Sequence, residues 1–351
     1  MRRVAKLSAA CIATAALALT ATACGSTSSE KDNSSSSASA GGGKGIKIGL
    51  AYDVGGRGDR SFNDSAARGA DKAEKEFGGS IKELTAKNSD TEADREQRLT
   101  DLADAGYNPI VAVGFSYATS VDKVAAKYPK VNFGLIDSVA TAKNVDSITF
   151  TEEQGSYLAG VAAALKTKKN HVGFIGGVDT PLIKKFEAGY IAGAKAVNPS
   201  IKIDSQYLTQ PPDFSGFGDP AKGKTAADGM YQKGADVVYH AAGGSGGGVF
   251  TAAKAAGKLA IGVDSDQALT APEAVRSVIM TSMIKKVDVA VYDFIKSASE
   301  GKELTGNNVY DLKAGGVDYS TTGGQIDDIK SKLDDYKAKI VSGEIKVPVT
   351  P

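Results

Sequence analysis

Residues 171–209 read HVGFIGGVDTPLIKKFEAGYIAGAKAVNPSIKIDSQYLT. HVGFIGG is an apolar run of strand length. In the segment after it, Leu182, Phe186 and Tyr190 recur every fourth residue, which is the spacing of one helical face. IKIDSQYLT then reads as a second strand. Strand, helix and strand in this order form one unit of a parallel sheet.

The same rhythm runs outward in both directions. Upstream, GIKIGLAY precedes a helix in which Ala66, Ala67, Ala70, Ala73 and Phe77 share a face. SIKELTA, PIVAVG, VNFGLID and VDSITF follow as strands, with helices predicted over 90–106, 118–129 and 152–167. Downstream come a helix from about Pro220, the strand DVVYHAA, the helix GGGVFTAAKAAG and the strand LAIGVD. Two successive sets of such units predict an α/β protein with two open, mainly parallel sheets covered by helices. Glycine-rich turns fall at strand carboxyl ends, where such sheets bind ligands, and two similar lobes imply a cleft between them.

Composition bounds the function. The chain has 351 residues, enough for about two domains. Arg2, Arg3 and Lys6 precede an apolar, Ala-rich stretch that ends at small residues before Cys24, the pattern of a signal peptide over 1–23. Without those three cations, 39 basic residues face 41 acidic ones, so no basic field invites nucleic acid. Residues 24–43 are a Ser/Gly-rich tether with no core-forming content. The arrangement predicts lipidation at Cys24 and anchoring on the extracytoplasmic face of the cell membrane. Ala21-Thr22-Ala23 also reads as an ordinary secretory cleavage site, the alternative being a freely secreted protein. Cys11 lies in the signal, so the mature chain has no disulfide. With His171 and His240 as the only histidines there is no Cys/His metal set, and no cofactor is expected. No later apolar run is long enough to span a bilayer.

Two motifs imitate catalysis. Residues 218–225, GDPAKGKT, match a phosphate loop, but the preceding strand ends about ten residues earlier, so the segment reads as a turn opening a helix. Residues 243–247, GGSGG, match a nucleophile elbow after a strand, yet both histidines precede Ser245 where the chain order of a triad requires one after it. The glycines suit close backbone approach to a ligand, or simply a flexible turn. Asp264 ends a strand and can accept two hydrogen bonds from vicinal hydroxyls, or cap a helix. Glu152 and Glu153 open a helix and favour its dipole.

Several stretches together carry a resemblance. Asp53 followed by GGRGDRSFND, TEEQGSYLAG at 151–160, GFGDPAKGK at 216–224, HAAGGSGGGV at 240–249, IGVDSDQ at 261–267 and MTSMIKKVD at 280–288 are similar to the basic membrane protein (BMP), or PnrA-like, lipoproteins. The likeness runs from about Lys44 to the end of the chain. It implies a type I periplasmic-binding-protein fold: two Rossmann-like lobes, a hinge and an interlobe ligand cleft. It also implies an ABC importer's substrate-binding lipoprotein, a purine nucleoside as ligand, a permease as partner, a monomer, and no enzymatic activity.

Carried onto this sequence, the resemblance places Phe62 and Phe186 on the two faces of the base. Asp53, Asn63 and Asp137 stand at the base edge, Asp264 and Lys285 on the ribose, and Gly243 and Gly244 as backbone contacts. From pattern alone, Phe62 reads as a hydrophobic staple preceding a cap at Asn63, and Phe186 as core. The tripeptide Arg57-Gly58-Asp59 is read as chance in a polar turn that gives Phe62 room to face the cleft. The expected first lobe is 44–151 plus about 278–302, and the second 152–277 plus about 303–351. Hinges are expected near 151–155, 264–268 and 301–306. A receptor for another small solute, a sugar or a signalling molecule, is the alternative on this fold, and an exported nucleoside hydrolase a further one.

Overall fold

The computed structural model describes residues 45–351. Signal, tether and Cys24 lie outside the described residues. The first sheet is built from β1 (Ile46–Val54), β2 (Gly79–Ala86), β3 (Ile110–Ala112), β4 (Phe133–Ile136) and β5 (Val145–Phe150), with α1 (Phe62–Phe77), α2 (Glu92–Asp104) and α3 (Ala118–Lys127) in the connections. Then α4 (Glu152–Lys166), β6 (His171–Val178), α5 (Pro181–Val197), β7 (Lys202–Thr209), α6 (Pro220–Gln232), β8 (Val237–Ala241), α7 (Gly246–Ala256) and β9 (Leu259–Asp264) build a second sheet. Two short helices, α8 (Gln267–Thr270) and α9 (Glu273–Arg276), lead into β10 (Ile279–Lys285), and α10 (Val287–Ser299), β11 (Gly306–Tyr310), β12 (Val317–Tyr319) and α11 (Lys330–Val341) finish the chain.

The sheets have matching orders, β11-β5-β4-β3-β1-β2 and β12-β10-β9-β8-β6-β7. All pairs are parallel except β12, which runs antiparallel to β10. This is the doubly wound arrangement, with the order reversing beside β1 in one lobe and β6 in the other; ligands bind outside the strand carboxyl ends at such points. Buried Ile48, Leu50 and Val111 of the first sheet, and Val172, Val237 and Ile261 of the second, form near-continuous apolar strands covered on both faces.

The chain crosses between lobes at Thr151, at Lys286 and through residues 311–316. This corrects the expected partition. β10 was placed in the first lobe, but its residues pair with β9 in the second sheet, Met283 opposite Val263. β11 was placed in the second, but pairs with β5, Gly306 opposite Asp146. The first lobe is completed by about 287–310 and the second by residues up to 285 and from 317. The turn 264–268 lies within the second lobe and 301–306 within the first, so neither is a crossing. The cause is packing at long range: α10 docks on α1, with Tyr292 stacked on Phe77 at 6.1 Å, and Gly69 leaving room for the Asp288 carbonyl.

Candidate functional site

A cavity opens where the strand carboxyl ends of the two lobes meet. Residues at or just beyond several strand ends line it. From the first lobe come Asp53 near the end of β1, Gly114 and Phe115 after β3, and Asp137 after β4. From the second come Ala241 at the end of β8, Gly243 after it, Asp264 at the end of β9 and Lys285 at the end of β10. The matching strand orders make Asp137 and Asp264 counterparts, and both adopt the left-handed backbone, with φ of 68° and 62°. A non-glycine residue held there is costly and clusters at functional sites.

Phe62 and Asn63 begin α1, whose cap residue is Ser61. Phe62 is thus the first helical residue rather than the residue before a cap, and the staple spacing is not formed. Phe186 comes from the second turn of α5 and is 3% exposed. Both rings line the cavity from opposite lobes. Of the residues singled out in the sequence, Asp53, Phe62, Asn63, Asp137, Phe186, Gly243, Asp264 and Lys285 are brought together. Gly244 is not among the lining residues; a Cβ there would face the Phe217 carbonyl and Asp59. Sequence reasoning missed Asp59, Phe115, Phe217, Leu182 and Ile183 of the lining. Phe115 carried a signal, an aromatic residue directly after a glycine at a strand end.

Lys285 is the electrostatic centre. Only 1% exposed, its Nζ lies 2.6 Å from the Asp137 carboxylate and 3.2 Å from Glu152 Oε1. The ammonium is also 5.1 Å from the Phe62 ring centroid, 5.0 Å from Phe150 and 5.7 Å from Phe186, within cation–π reach. Burial pulls its pKa down, but Asp137, Glu152 and Asp264 together push it above the ordinary lysine value. Burial pushes the Asp137 carboxyl up to about 7, with Lys285 opposing the rise. Asp264 is raised by burial, against Lys285 and the Ser61 hydroxyl. Asp53 is raised well above the carboxylate range by burial, with Asn63 opposing. Glu152 therefore does more than begin α4: it shares the buried lysine.

The lobes touch directly across the cleft mouth. Ser61 Oγ donates to Asp264 Oδ2 at 2.7 Å, and Ser265 Oγ to the Ser61 carbonyl at 2.8 Å. Gln267 Nε2 donates to the Arg60 carbonyl at 3.2 Å. The turn before α1 thus seats on the second lobe in a closed arrangement.

The family model of PnrA-like ABC transporter substrate-binding proteins, Bmp, matches residues 46–351. The chain belongs to this family. The ABC transporter nucleoside-binding protein BmpA of Lactococcus lactis subsp. cremoris is 39% identical over 325 residues, covering 86% of this chain and 89% of the relative. A Pyrococcus abyssi protein named as an uncharacterized lipoprotein is 38% identical over 287 residues, covering 78% of this chain and 69% of its own. The crystal structure of an ABC transporter solute-binding protein from Aeropyrum pernix K1 superposes with a TM-score of 0.75 at 31% identity, covering 86% of this chain and 94% of that one. As a PnrA-like protein, the chain is a substrate-binding component of an ABC transporter with the type I periplasmic-binding-protein fold. Its partners are a small ligand and a membrane permease.

In this PnrA-like chain both catalytic look-alikes have structural work. Ser245 Oγ is buried, donates to the Gly216 carbonyl at 2.7 Å and accepts from the Asp219 N–H at 2.8 Å. His240 is bonded to Gln267 Oε1 at 3.0 Å and held below the usual histidine range, at about 4, by burial. At the phosphate-loop look-alike, Asp219 occupies the start of α6 by accepting from the Lys222 N–H, and Lys222 Nζ bonds Ser215. A carboxylate already fills the place a phosphate would take. Among the described residues no His/Cys/Asp/Glu group suits a metal, and no helix is long and apolar enough to cross a membrane.

Proposed function

We propose that this protein captures a purine nucleoside in the interlobe cavity and delivers it to an ABC permease. The observation that carries the reading is the pair of Phe62 and Phe186 rings, one from each lobe, lining a single cavity around the Lys285 ammonium. A base slotted between the rings stacks on both faces. Asp53, Asn63 and Asp137 at one side suit a base edge. Asp264 and Lys285 suit a ribose, a carboxylate accepting from vicinal hydroxyls and an ammonium donating to their oxygens. The name of the Lactococcus relative supports the ligand class, and that of the Pyrococcus relative supports a lipid anchor at Cys24. Binding is closure without chemistry: a ligand that bridges the lobes favours the closed state by its differential affinity for it.

The test is calorimetry on residues 44–351, refolded to remove carried ligand, with adenosine, guanosine, inosine, uridine and ribose. Saturable heat with purine nucleosides and none with ribose is the expected result. Silence with every nucleoside from folded protein would overturn the reading and leave a receptor for another small solute. Free base appearing on incubation with a nucleoside would point instead to a hydrolase.

A further inference from the structure

Asp59, read from the sequence as a chance member of a polar turn, holds the start of α1 and one pocket side chain together. Its Oδ1 accepts from the Ser61 N–H at 2.9 Å and the Asp64 N–H at 3.1 Å. Its Oδ2 accepts from the Asn63 N–H at 2.9 Å and from Asn63 Nδ2 at 3.2 Å. The second hydrogen of that amide goes to Asp53 Oδ1 at 2.8 Å. Both amide donors are therefore spent on carboxylates, and an acceptor-only carboxylate oxygen cannot face the amide oxygen instead. A proton on Asp53 can sit on either oxygen, so Asp59, whose Oδ2 accepts from both the Asn63 N–H and the Asn63 amide, is the carboxylate that decides which way the amide faces. Asn63 Oδ1 remains. It is buried, lacks any hydrogen-bond partner, and belongs to a residue that lines the cavity and is 2% exposed. A buried acceptor left unmet is costly, so a ligand that supplies a donor there gains over one that does not.

We propose that Asp59 is a positioning residue for ligand recognition: with Asp53 it fixes the Asn63 amide oxygen-inward, so that the cleft selects bases presenting an N–H donor on their edge. This rests on the nucleoside reading above and narrows it. Adenosine offers an exocyclic amine, inosine a ring N–H, and guanosine both. Purine riboside and 6-methylpurine riboside keep the ring faces and the ribose but offer no donor on the base, the methyl compound also keeping the bulk of the amine.

The experiment titrates residues 44–351 with adenosine, inosine, purine riboside and 6-methylpurine riboside, in wild type and in Asp59→Asn. Wild type is expected to bind the two donor-free ribosides about ten- to a hundredfold more weakly than adenosine. Asp59→Asn keeps an acceptor for the Ser61 and Asp64 N–H groups but gives up the one for the Asn63 N–H and sets an amide against Asn63 Nδ2; with a proton on Asp53 facing it, the Asn63 amide then reverses. The adenosine preference over 6-methylpurine riboside is expected to collapse to within about threefold, a change in ratio that a merely structural defect would not produce. Equal binding of adenosine and both donor-free ribosides by wild type overturns the proposal while leaving nucleoside binding intact. Should Asp59→Asn fail to fold, the wild-type comparison decides alone. A folded Asp59→Asn that keeps the full preference also overturns it. Silence with every riboside overturns the nucleoside reading and this proposal with it.

Discussion

Replacing Lys285 by methionine tests the electrostatics of the cleft. Methionine matches the stem and removes the charge. Two nearly fully buried carboxylates, Asp137 and Glu152, then lose the cation that lies within 3.2 Å of both. Lys185 stays 3.4 Å from Glu152, so the charge left uncompensated is that of Asp137, and breaking a buried pair from one side costs about 3–5 kcal/mol. At about 2 °C per kcal/mol for a chain of this size, the melting temperature falls by about 6–10 °C at pH 8. The pH dependence carries the diagnosis. Burial already raises Asp137 from 3.8 to about 7, and Lys285 is the influence that opposes the rise. Without it the folded state holds the Asp137 proton still more tightly than the unfolded chain does. A carboxyl raised by folding gives its stability in full below the unfolded value and loses it as pH rises through the folded value. The variant's deficit is therefore large at pH 8 and shrinks towards pH 5, and adding Asp137→Asn restores much of the loss at pH 8. Scanning calorimetry at both pH values reads this directly. An equal deficit at pH 5 and pH 8 would show that the loss does not arise from the charge left on Asp137, and would refute the reasoning.

Phe62→Ala is expected to weaken nucleoside binding by about 1–3 kcal/mol with the melting temperature nearly unchanged; unaltered affinity in calorimetry would remove this ring from the site. Gly193→Ala places a Cβ 2.0 Å from the Tyr157 carbonyl where α5 crosses α4, so destabilisation of at least about 1–3 kcal/mol is expected in a denaturant melt. Asp146, buried in β5, is pushed up to about 6 by burial against the Asn308 amide, which costs stability as pH rises through that value. Asp146→Asn should therefore raise the melting temperature at pH 8 and lose that advantage below pH 4; a gain that does not vary with pH would contradict the charge argument.

Much of the fold was legible because the central parallel strands are buried on both faces and are bounded by glycine or a helical face. The segments HVGFIGG and LAIGVD, and GIKIGLAY from Ile46 on, fall within strands, and the helical stripe through Leu182, Phe186 and Tyr190 lies on α5. The lobe assignment of the last strands was not legible. IMTSMIK reads as a buried strand in either sheet, and only its register beside β9 decides. The site divides in the same way. Residues at strand ends could be nominated by resemblance, since a strand fixes where its end points. Asp59 escaped because its four hydrogen bonds are made by a loop folding on itself, and a carboxylate among glycines looks the same whether solvated or buried. Glu152 was half seen: its place at the start of α4 is visible locally, its contact with Lys285 only once two lobes close.

The interleaving of the lobes bears on how the chain is made. Translated from its amino end, the first lobe has five strands after Phe150, yet α10, the cover for α1, and β11, the outer strand, are more than a hundred residues away. Until about residue 310 has been synthesised, the apolar face of α1 and the outer edge of β5 are bare. The second lobe waits for β12 and α11. Neither lobe is a prefix of the sequence, so no truncation yields one lobe whole. This interleaving delays compaction, keeping most of the chain's length open until the last strands arrive.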